Sequence, residues 1–578
     1  MAGPDLILVF PPMNVQITHP EIGLPQLTAH LRAAGLSVRQ HDLNMTFMYR
    51  HLADPEVIAR FLQDIAWTSG SETPGMFPGA QIESMGRAML ESRPPRPRPD
   101  VGADVHAYMD ARAARLNILS NVRDLDPCGD VGLHPGVWRA LVEMVDGIYL
   151  QPRSFAEKDL LAAAESSLPL LEQFYEAFLA EAFAGGVPAC IGLSVGSSFQ
   201  LLPSLVLARM VRHRAGDVKI VAGGPWFTAA KDLLPDLGSF RRYIDAVVIH
   251  EGEAPMVEIM NRLGDASPFT SIDGVAVPGG EVAPPACPTP LEDLAPPVYD
   301  GMPMDLYPAR GAAVRLTRGC HWARCDFCHH VYPGYTEVHS SRPEDISDAY
   351  IQSLVDHIEF IGAEHGVEKI FLSDNGPPAN LLHRFARALL ERGTRIVWES
   401  LARFEPQLTG GVCTDLARSG CRALFFGLES CSLSEMEACA KGIDLGLVER
   451  SLETCSRAGI GNFVFVLSHP TQPPGSYEQT LQWIADRFDT VTQVIAFRFC
   501  LARFSRAYTK RREMGLRLKR GASRSLDVFA VPYSAAQEMP LERFMELTAR
   551  CEQTLLPRQK SVTPVARGYW SAPGGGPQ

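Results

Sequence analysis

The sequence predicts an α/β protein built as a doubly wound parallel sheet followed by a partial (β/α)6 barrel and a mixed C-terminal extension. Three observations carry that expectation. Short apolar runs alternate with amphipathic stretches in two separate series, one ending near residue 265 and one starting near residue 311. A Pro-rich, turn-rich linker at 266–310, including "VPGGEVAPPACPTPLEDLAPPVYDG", separates the two. The length of 578 residues exceeds what one hydrophobic core usually organises.

The first series opens with "DLILVFPP", a helical pattern at "LPQLTAHLRAAG" stopped by Gly35, and "SVRQHDLN". It resumes with "ACIGLSVGSS", the helix "LLPSLVLARMVRHRAG", "VKIVAGGP", a further helix, "AVVIHEGE" and the helix "APMVEIMNRLG". Continuous apolar strands of this kind are covered by helices on both faces of the sheet. Ligands then bind where strand C-termini release loops, here 194–198 and 223–226. An insert of roughly 46–185 interrupts the series; it is helical by pattern, and its "RPPRPRP" at 93–99 reads as a stiff polyproline linker.

The second series runs "AAVRLT", "EKIFLSD", "TRIVWES", "RALFFGL", "GNFVFVL" and "QVIAFRF", each followed by a helical stretch. A parallel barrel of this type keeps its chemistry at the C-terminal ends of its strands. Residues 511–578 form the extension, with "SAPGGGPQ" expected as a disordered tail.

Composition narrows the function classes. The apolar fraction of 46% is that of a globular protein, and a net charge of -12 offers no basic footprint for nucleic acid. The N-terminus lacks a basic n-region, its apolar run is shorter than a signal-peptide core, and no run of 18 or more apolar residues exists. A cytoplasmic protein with no membrane partner is therefore expected. Thirteen cysteines, an odd number in a reducing compartment, fit buried thiols plus a metal or cluster site better than a disulfide framework.

The stretch "RLTRGCHWARCDFCHH" places Cys320, Cys325 and Cys328 in the loop after the first barrel strand. Structural zinc would need a fourth ligand, which His329 or His330 could supply, but no second C-x-x-C pair occurs in the chain. An iron–sulfur cubane takes four ligands, so three thiolates leave one iron open to an exogenous group. Cys413, Cys421, Cys431, Cys439 and Cys455 are too irregularly spaced for a second cluster and read as buried thiols.

"RGCHWARCDFC", "FLSDNG", "WESLARFEP", "GCRALFFGLES" and "FRFCLARFSRAY", together covering most of 310–515, resemble the strand-end motifs of the radical SAM superfamily. Phe327 matches the aromatic residue before the last cysteine of that family's C-x3-C-x2-C signature, while the first spacing here is C-x4-C. The order of motifs resembles members with a cobalamin-binding domain, and "GLSVGSS", "VAGGPWFT" and "VVIHEGE" are similar to the loops of that domain.

The resemblance implies a Rossmann-like cobalamin-binding domain at 1–265 and a TIM-like radical SAM barrel at 311–510. It implies a [4Fe-4S] cluster on Cys320, Cys325 and Cys328, and S-adenosylmethionine (SAM) contacts from Phe327, Asp374, Asn375, Arg403, Glu429 and Ser430. Cobalamin contacts are implied for Asn44, Ser194, Val195, Gly196, Ser197, Gly223, Gly224, Pro225, Glu251 and Gly252. Many cobalamin proteins carry D-x-H-x-x-G, but "HDLNMTF" has Asn44 where the cobalt-ligating histidine would stand. The implied reaction is methyl transfer to an unactivated carbon of a specialised metabolite or peptide. One SAM supplies the methyl group, a second SAM supplies the hydrogen-abstracting radical, and an external flavodoxin- or ferredoxin-type reductant supplies electrons. Radical rearrangement, oxidation or cyclisation without methyl transfer is the alternative, followed by a non-catalytic metal- or cobalamin-binding protein. The sequence singles out no catalytic side chain beyond the cofactor contacts.

Overall fold

The computed structural model describes residues 5–13, 19–51, 155–263, 269–307, 310–330, 332, 335, 339, 342–473 and 475–559. Most of the insert, with its "RPPRPRP", and the C-terminal tail lie outside the described residues. The chain divides into two compact units. The first comprises the described parts of Met1–Ile17, Leu31–Ala286 and Asp300–Pro308, and the second those of Thr18–His30, Cys287–Tyr299 and Ala309–Gln578.

In the first unit, β1 (Leu6–Phe10), β2 (Val38–Asp42), β3 (Cys190–Ser194), β4 (Lys219–Gly223), β5 (Ala246–Val248) and β6 (Val275–Ala276) form one sheet in the order β2-β1-β3-β4-β5-β6. The first five are parallel and β6 is antiparallel to β5. β6 arises inside the segment expected as a linker, where a two-residue strand leaves no periodicity to read. Every residue of β1 is buried, as the unbroken run "LILVF" requires of a strand covered on both faces. The chain reverses direction across the sheet between β1 and β3, which creates a switch-point crevice at the strand C-termini. Two helices from the end of the insert, Glu157–Glu165 and Pro169–Ala182, belong to this unit. The second is fastened to the helix Leu201–Arg214 through the Arg209–Glu172 ion pair, and Tyr175 donates to the Pro203 carbonyl at 3.0 Å.

The second unit is built on a six-stranded, all-parallel sheet: β7 (Gly311–Val314), β8 (Lys369–Leu372), β9 (Val397–Ala402), β10 (Cys421–Glu429), β11 (Gly461–Ser468) and β12 (Gln493–Arg498). Neighbours in sequence are neighbours in the sheet, the arrangement of a partial barrel. Period-two alternation separates its two faces. Trp398 meets Phe385 of the helix Ala379–Arg392 edge to face, whereas Ala423, Phe425, Phe463 and Ile495 form a cluster with Phe371, Leu401, Phe465 and Phe497 on the other side. The connecting helices are punctuated as their sequences dictate. Ser347, Thr409 and Asp444 accept from backbone N–H groups at three helix starts, and Gly366 and Gly393 end two helices in the left-handed region. The C-terminal extension adds a short hairpin, β13 (Arg517–Leu518) with β14 (Tyr533–Ser534), and the helix Leu541–Gln559, whose Phe544 stacks on Tyr477.

Candidate functional site

The cysteine loop leaves β7 at its C-terminal end and is fixed from its first residues. Asp374, just past β8, accepts from the Leu316 N–H at 3.0 Å, the Thr317 hydroxyl at 2.6 Å and the Thr317 N–H. Its carboxyl is buried; burial pushes its pKa up, and the Thr317 and backbone donors pull against that shift. The residue expected to contact SAM thus holds the start of the cysteine loop. Asn375 beside it is half-buried. Gly376 follows with φ 139°, and a Cβ there would stand 3.3 Å from the Cys320 sulfur.

Four residues occupy the first cysteine interval. His321 lies between the Gly376 carbonyl, 2.8 Å from Nδ1, and Glu405, 2.6 Å from Nε2. The Trp322 indole N–H donates to the Ala440 carbonyl at 2.8 Å, and the guanidinium groups of Arg403 and Arg324 lie 4.5 and 5.0 Å from its ring centroid. After Cys325, Asp326 takes an ion pair from Lys510 at 2.9 Å, its N–H donates to the Cys439 carbonyl, and its carbonyl accepts from the Ala507 N–H. The segment following β12 thus clasps the loop. Phe327 packs against the cluster of Leu467, Phe499, Leu501, Ala507 and Leu516, so its ring anchors the loop as well.

Cys320, Cys325 and Cys328 are free thiols that interact electrostatically with one another. Burial raises the Cys325 thiol pKa, while Lys441 and Arg403 act to lower it. Burial pushes Cys328 up to about 12, against the His330 N–H that donates to its sulfur at 3.4 Å. Among the described residues no three His, Cys, Asp or Glu groups converge as a single-ion site. One zinc ion would draw thiolates to about 2.3 Å from a common point, whereas a cubane carries its thiolates on separate irons. Three free thiols in a shared loop, with two cations beside Cys325, are a donor set that fits the cubane.

Lys441 was not singled out from the sequence. Its Nζ pairs with Glu429 Oε1 at 2.8 Å, with both side chains largely buried. Glu429 ends β10 at φ 68°, a left-handed conformation uncommon for a non-glycine residue, and Gly427 keeps the way clear, since a Cβ there would stand 2.3 Å from the Lys441 Nζ. Burial works to lower the Lys441 pKa, but Glu429 and Cys325 outweigh it and the net direction is upward. Arg403 donates to the Lys441 carbonyl at 2.7 Å. The structure thus gathers Arg403, Glu429 and Lys441 beside Cys325. Ser430 turns elsewhere: it is buried and its hydroxyl donates to Glu435 at 2.6 Å. The only sequence signal for Lys441 was "AKG" after a short helix, which gives no hint of a partner twelve positions upstream.

In the first unit, Ser194 at the end of β3 and Gly196 and Ser197 after it are half-buried, as are Gly223 at the end of β4 and Gly224 after it, and Pro225 is exposed. The two loops are tied together: the Val195 N–H donates to the Gly223 carbonyl, and the Trp226 N–H donates to the Val195 carbonyl. Gly224 sits at φ 92°, where a Cβ would come within 2.8 Å of the Val195 carbonyl oxygen. Glu251 and Gly252 are half-buried after His250, itself at φ 67°. These small residues lie at strand C-termini beside the switch point, the place where open α/β sheets bind ligands. Val195 and Asn44 present no side-chain surface to it, both being fully buried, and Trp226 is a core residue against Phe227. Asn44 lies in the short helix Leu43–Thr46, capped by Asp42, which accepts from the Asn44 and Met45 N–H groups and from the Tyr307 hydroxyl.

No family model matches the chain. A curated relative, an uncharacterized methyltransferase of Pyrococcus horikoshii, is 24% identical over 310 residues, which cover 51% of this chain and 64% of the relative. Among solved structures, the cobalamin-dependent S-adenosylmethionine radical enzyme OxsB with aqua-cobalamin bound matches with a TM-score of 0.51 at 17% identity, over 65% of this chain and 59% of that one. The radical S-adenosylmethionine methyltransferase TsrM from Kitasatospora setae, with cobalamin and a [4Fe-4S] cluster bound, matches with a TM-score of 0.51 at 16% identity, over 95% of this chain and 85% of that one. The chain thus spans less than two thirds of the curated relative and of OxsB, and the likeness to the solved structures is one of fold.

Proposed function

We propose that this protein is a cobalamin-dependent radical SAM methyltransferase. The observation that carries the reading is the set of three free thiols in the loop after the first strand of an all-parallel six-stranded sheet, with Arg403, Lys441 and Glu429 gathered beside Cys325. Cys320, Cys325 and Cys328 would hold a [4Fe-4S] cluster with one iron free of protein thiolate. The SAM carboxylate would be met by Arg403, whose planar guanidinium suits bidentate binding, and Lys441 would add positive charge beside it. Glu429 and Asn375 would face the amino and ribose groups, and Asp374 would hold the loop. The loops 194–197 and 223–225, with Glu251 and Gly252, would carry the corrin, with no histidine available at Asn44 for cobalt. When bound, the cofactors supply one-electron reduction and methyl chemistry that amino-acid side chains cannot perform.

The chain's own contribution is to hold and to orient. Asp374, His321 and Asp326 fix the cysteine loop at three points along its length, so the geometry exists before SAM arrives, which limits the ordering cost of binding. The substrate class is a small molecule or peptide with an unactivated carbon, and the electron source an external flavodoxin- or ferredoxin-type protein. The description of the Pyrococcus relative as a methyltransferase supports methyl transfer over other radical outcomes. Among the described residues no helix is long and apolar enough to cross a membrane.

The test is an anaerobic incubation of reconstituted protein with SAM, cobalamin and a one-electron reductant against a panel of candidate substrates. Formation of S-adenosylhomocysteine together with a product one methylene heavier is the expected result. 5'-Deoxyadenosine with an isomerised, oxidised or cyclised product would instead establish radical chemistry without methyl transfer.

A further inference from the structure

The first cysteine interval is one residue longer than the signature it resembles, and the structure gives that extra length a use. Ala323 adopts φ 46°, which residues with a Cβ rarely take, and its carbonyl accepts from Arg506 at 3.3 Å. Beside this left-handed residue the indole of Trp322 rests on the turn Ala440–Gly442. There the indole N–H finds the Ala440 carbonyl, in a residue itself at φ 54°. Gly442 makes the seat: a Cβ at this position would come within 2.1 Å of the indole ring. Arg403 covers the ring at 4.5 Å and continues to the Lys441 carbonyl at 2.7 Å. One side chain therefore touches both Arg403, just past the end of β9, and the turn that carries Lys441.

We propose that Trp322 is a positioning residue that fixes Arg403 and the Lys441 turn beside Cys325, and thereby sets the affinity for SAM. The proposal rests on the radical SAM reading above. A long guanidinium side chain free to rotate loses rotamer entropy when it meets a carboxylate; one already stacked on an indole and hydrogen-bonded at its far side loses less. The arrangement also explains why Gly442 carries no side chain and why two alanines accept left-handed backbone in adjoining turns.

The experiment uses the full chain with Trp322→Phe, Trp322→Leu and Gly442→Ala variants, each reconstituted anaerobically. Three quantities are read: iron per chain, the thermal midpoint before reconstitution, and the SAM dissociation constant from the SAM-induced change in the electron paramagnetic resonance of the reduced cluster. Wild-type iron loading in all variants is expected, with SAM affinity down about tenfold in Trp322→Leu and about threefold in Trp322→Phe, which keeps a ring under Arg403. Gly442→Ala should resemble Trp322→Leu because it evicts the indole from its seat. Combining Trp322→Leu with Arg403→Lys should cost less than the sum of the two, since both act on one contact. SAM binding within twofold of wild type in Trp322→Leu overturns the proposal. So does equal loss of iron in the Leu and Phe variants, which would make Trp322 a fold element of the cysteine loop. Wild-type protein that loads iron yet binds no SAM would remove the underlying reading and the proposal together, and that outcome is distinct from the other two.

Discussion

Lys369 and Glu399 form an ion pair of 2.9 Å on the second unit's sheet, with side chains 8% and 0% exposed. Burial pulls the Lys369 pKa down and pushes the Glu399 pKa up, and each is opposed by its partner. Beyond this pair the Glu399 carboxylate oxygens have no hydrogen bond among the described residues. The mutual attraction at this separation is about 6 kcal/mol at an effective dielectric constant of 20, but most of it offsets the cost of taking two charges out of water. Removing either side chain takes from the other the opposite charge it is paired with in a buried setting, so Lys369→Met and Glu399→Leu should each cost about 3–5 kcal/mol. The double variant replaces the pair with apolar volume and should lie within about 1 kcal/mol of wild type. Calorimetry of the full chain reads this as a shift of about 10 °C in the second unit's transition for each single variant and little shift for the double. Single variants that cost less than about 1 kcal/mol, or a double variant as unstable as the sum of both, would refute the reasoning.

Three other outcomes are expected. Burial brings His19 down to about 4, below its ordinary 6.5, so beneath pH 6.5 the unfolded chain binds the extra proton. Stability should fall as pH drops from 6.5 towards 4, by about 1.4 kcal/mol from this group at pH 5.5; His19→Phe, which keeps the stack on Phe371, should flatten that slope, and an unchanged pH profile in urea titrations would contradict it. Gly224→Ala meets both a positive φ and the Val195 backbone and should cost about 2 kcal/mol or more, whereas Gly185→Ala, with open space around it, should stay within about 0.5 kcal/mol; equal losses in chemical denaturation would count against the close-approach argument. Lys510 is half-exposed, so Lys510→Ala should cost less than about 1 kcal/mol and less still at high salt; a loss above about 2 kcal/mol that salt does not change would show the Asp326 pair to be a buried one.

Twelve strands in two sheets were legible where apolar runs were long enough to carry a period, with one exception. "RALFFGL" could be read as β10 because both of its faces are buried, while β6 is two residues without a pattern. The cysteine triad was legible because a loop position and a thiol spacing are both local. The groups around it were not. "SDNG" reads equally as a turn or a ligand contact, and only the fold reveals that Asp374 faces Thr317, 57 positions earlier. Ser430 next to Glu429 was expected to share its role, but the left-handed residue at 429 ends the strand's alternation and Ser430 turns towards Glu435. Lys441 escaped notice because its significance depends on a missing Cβ at Gly427 and a carboxylate at Glu429. His19 shows the same limit in another form: nothing around "THPEIG" announces that its ring stacks on Phe371 in β8.

The most direct test of the whole account is the iron, cobalt and zinc content per chain of protein produced with cobalamin available and purified without oxygen. About four irons and one cobalt are expected, with the iron lost when Cys320, Cys325 and Cys328 are all replaced by alanine and the cobalt retained by that variant. About one zinc, with neither iron nor cobalt after cluster reconstitution and cobalamin addition, would contradict the account and leave a metal-stapled binding protein.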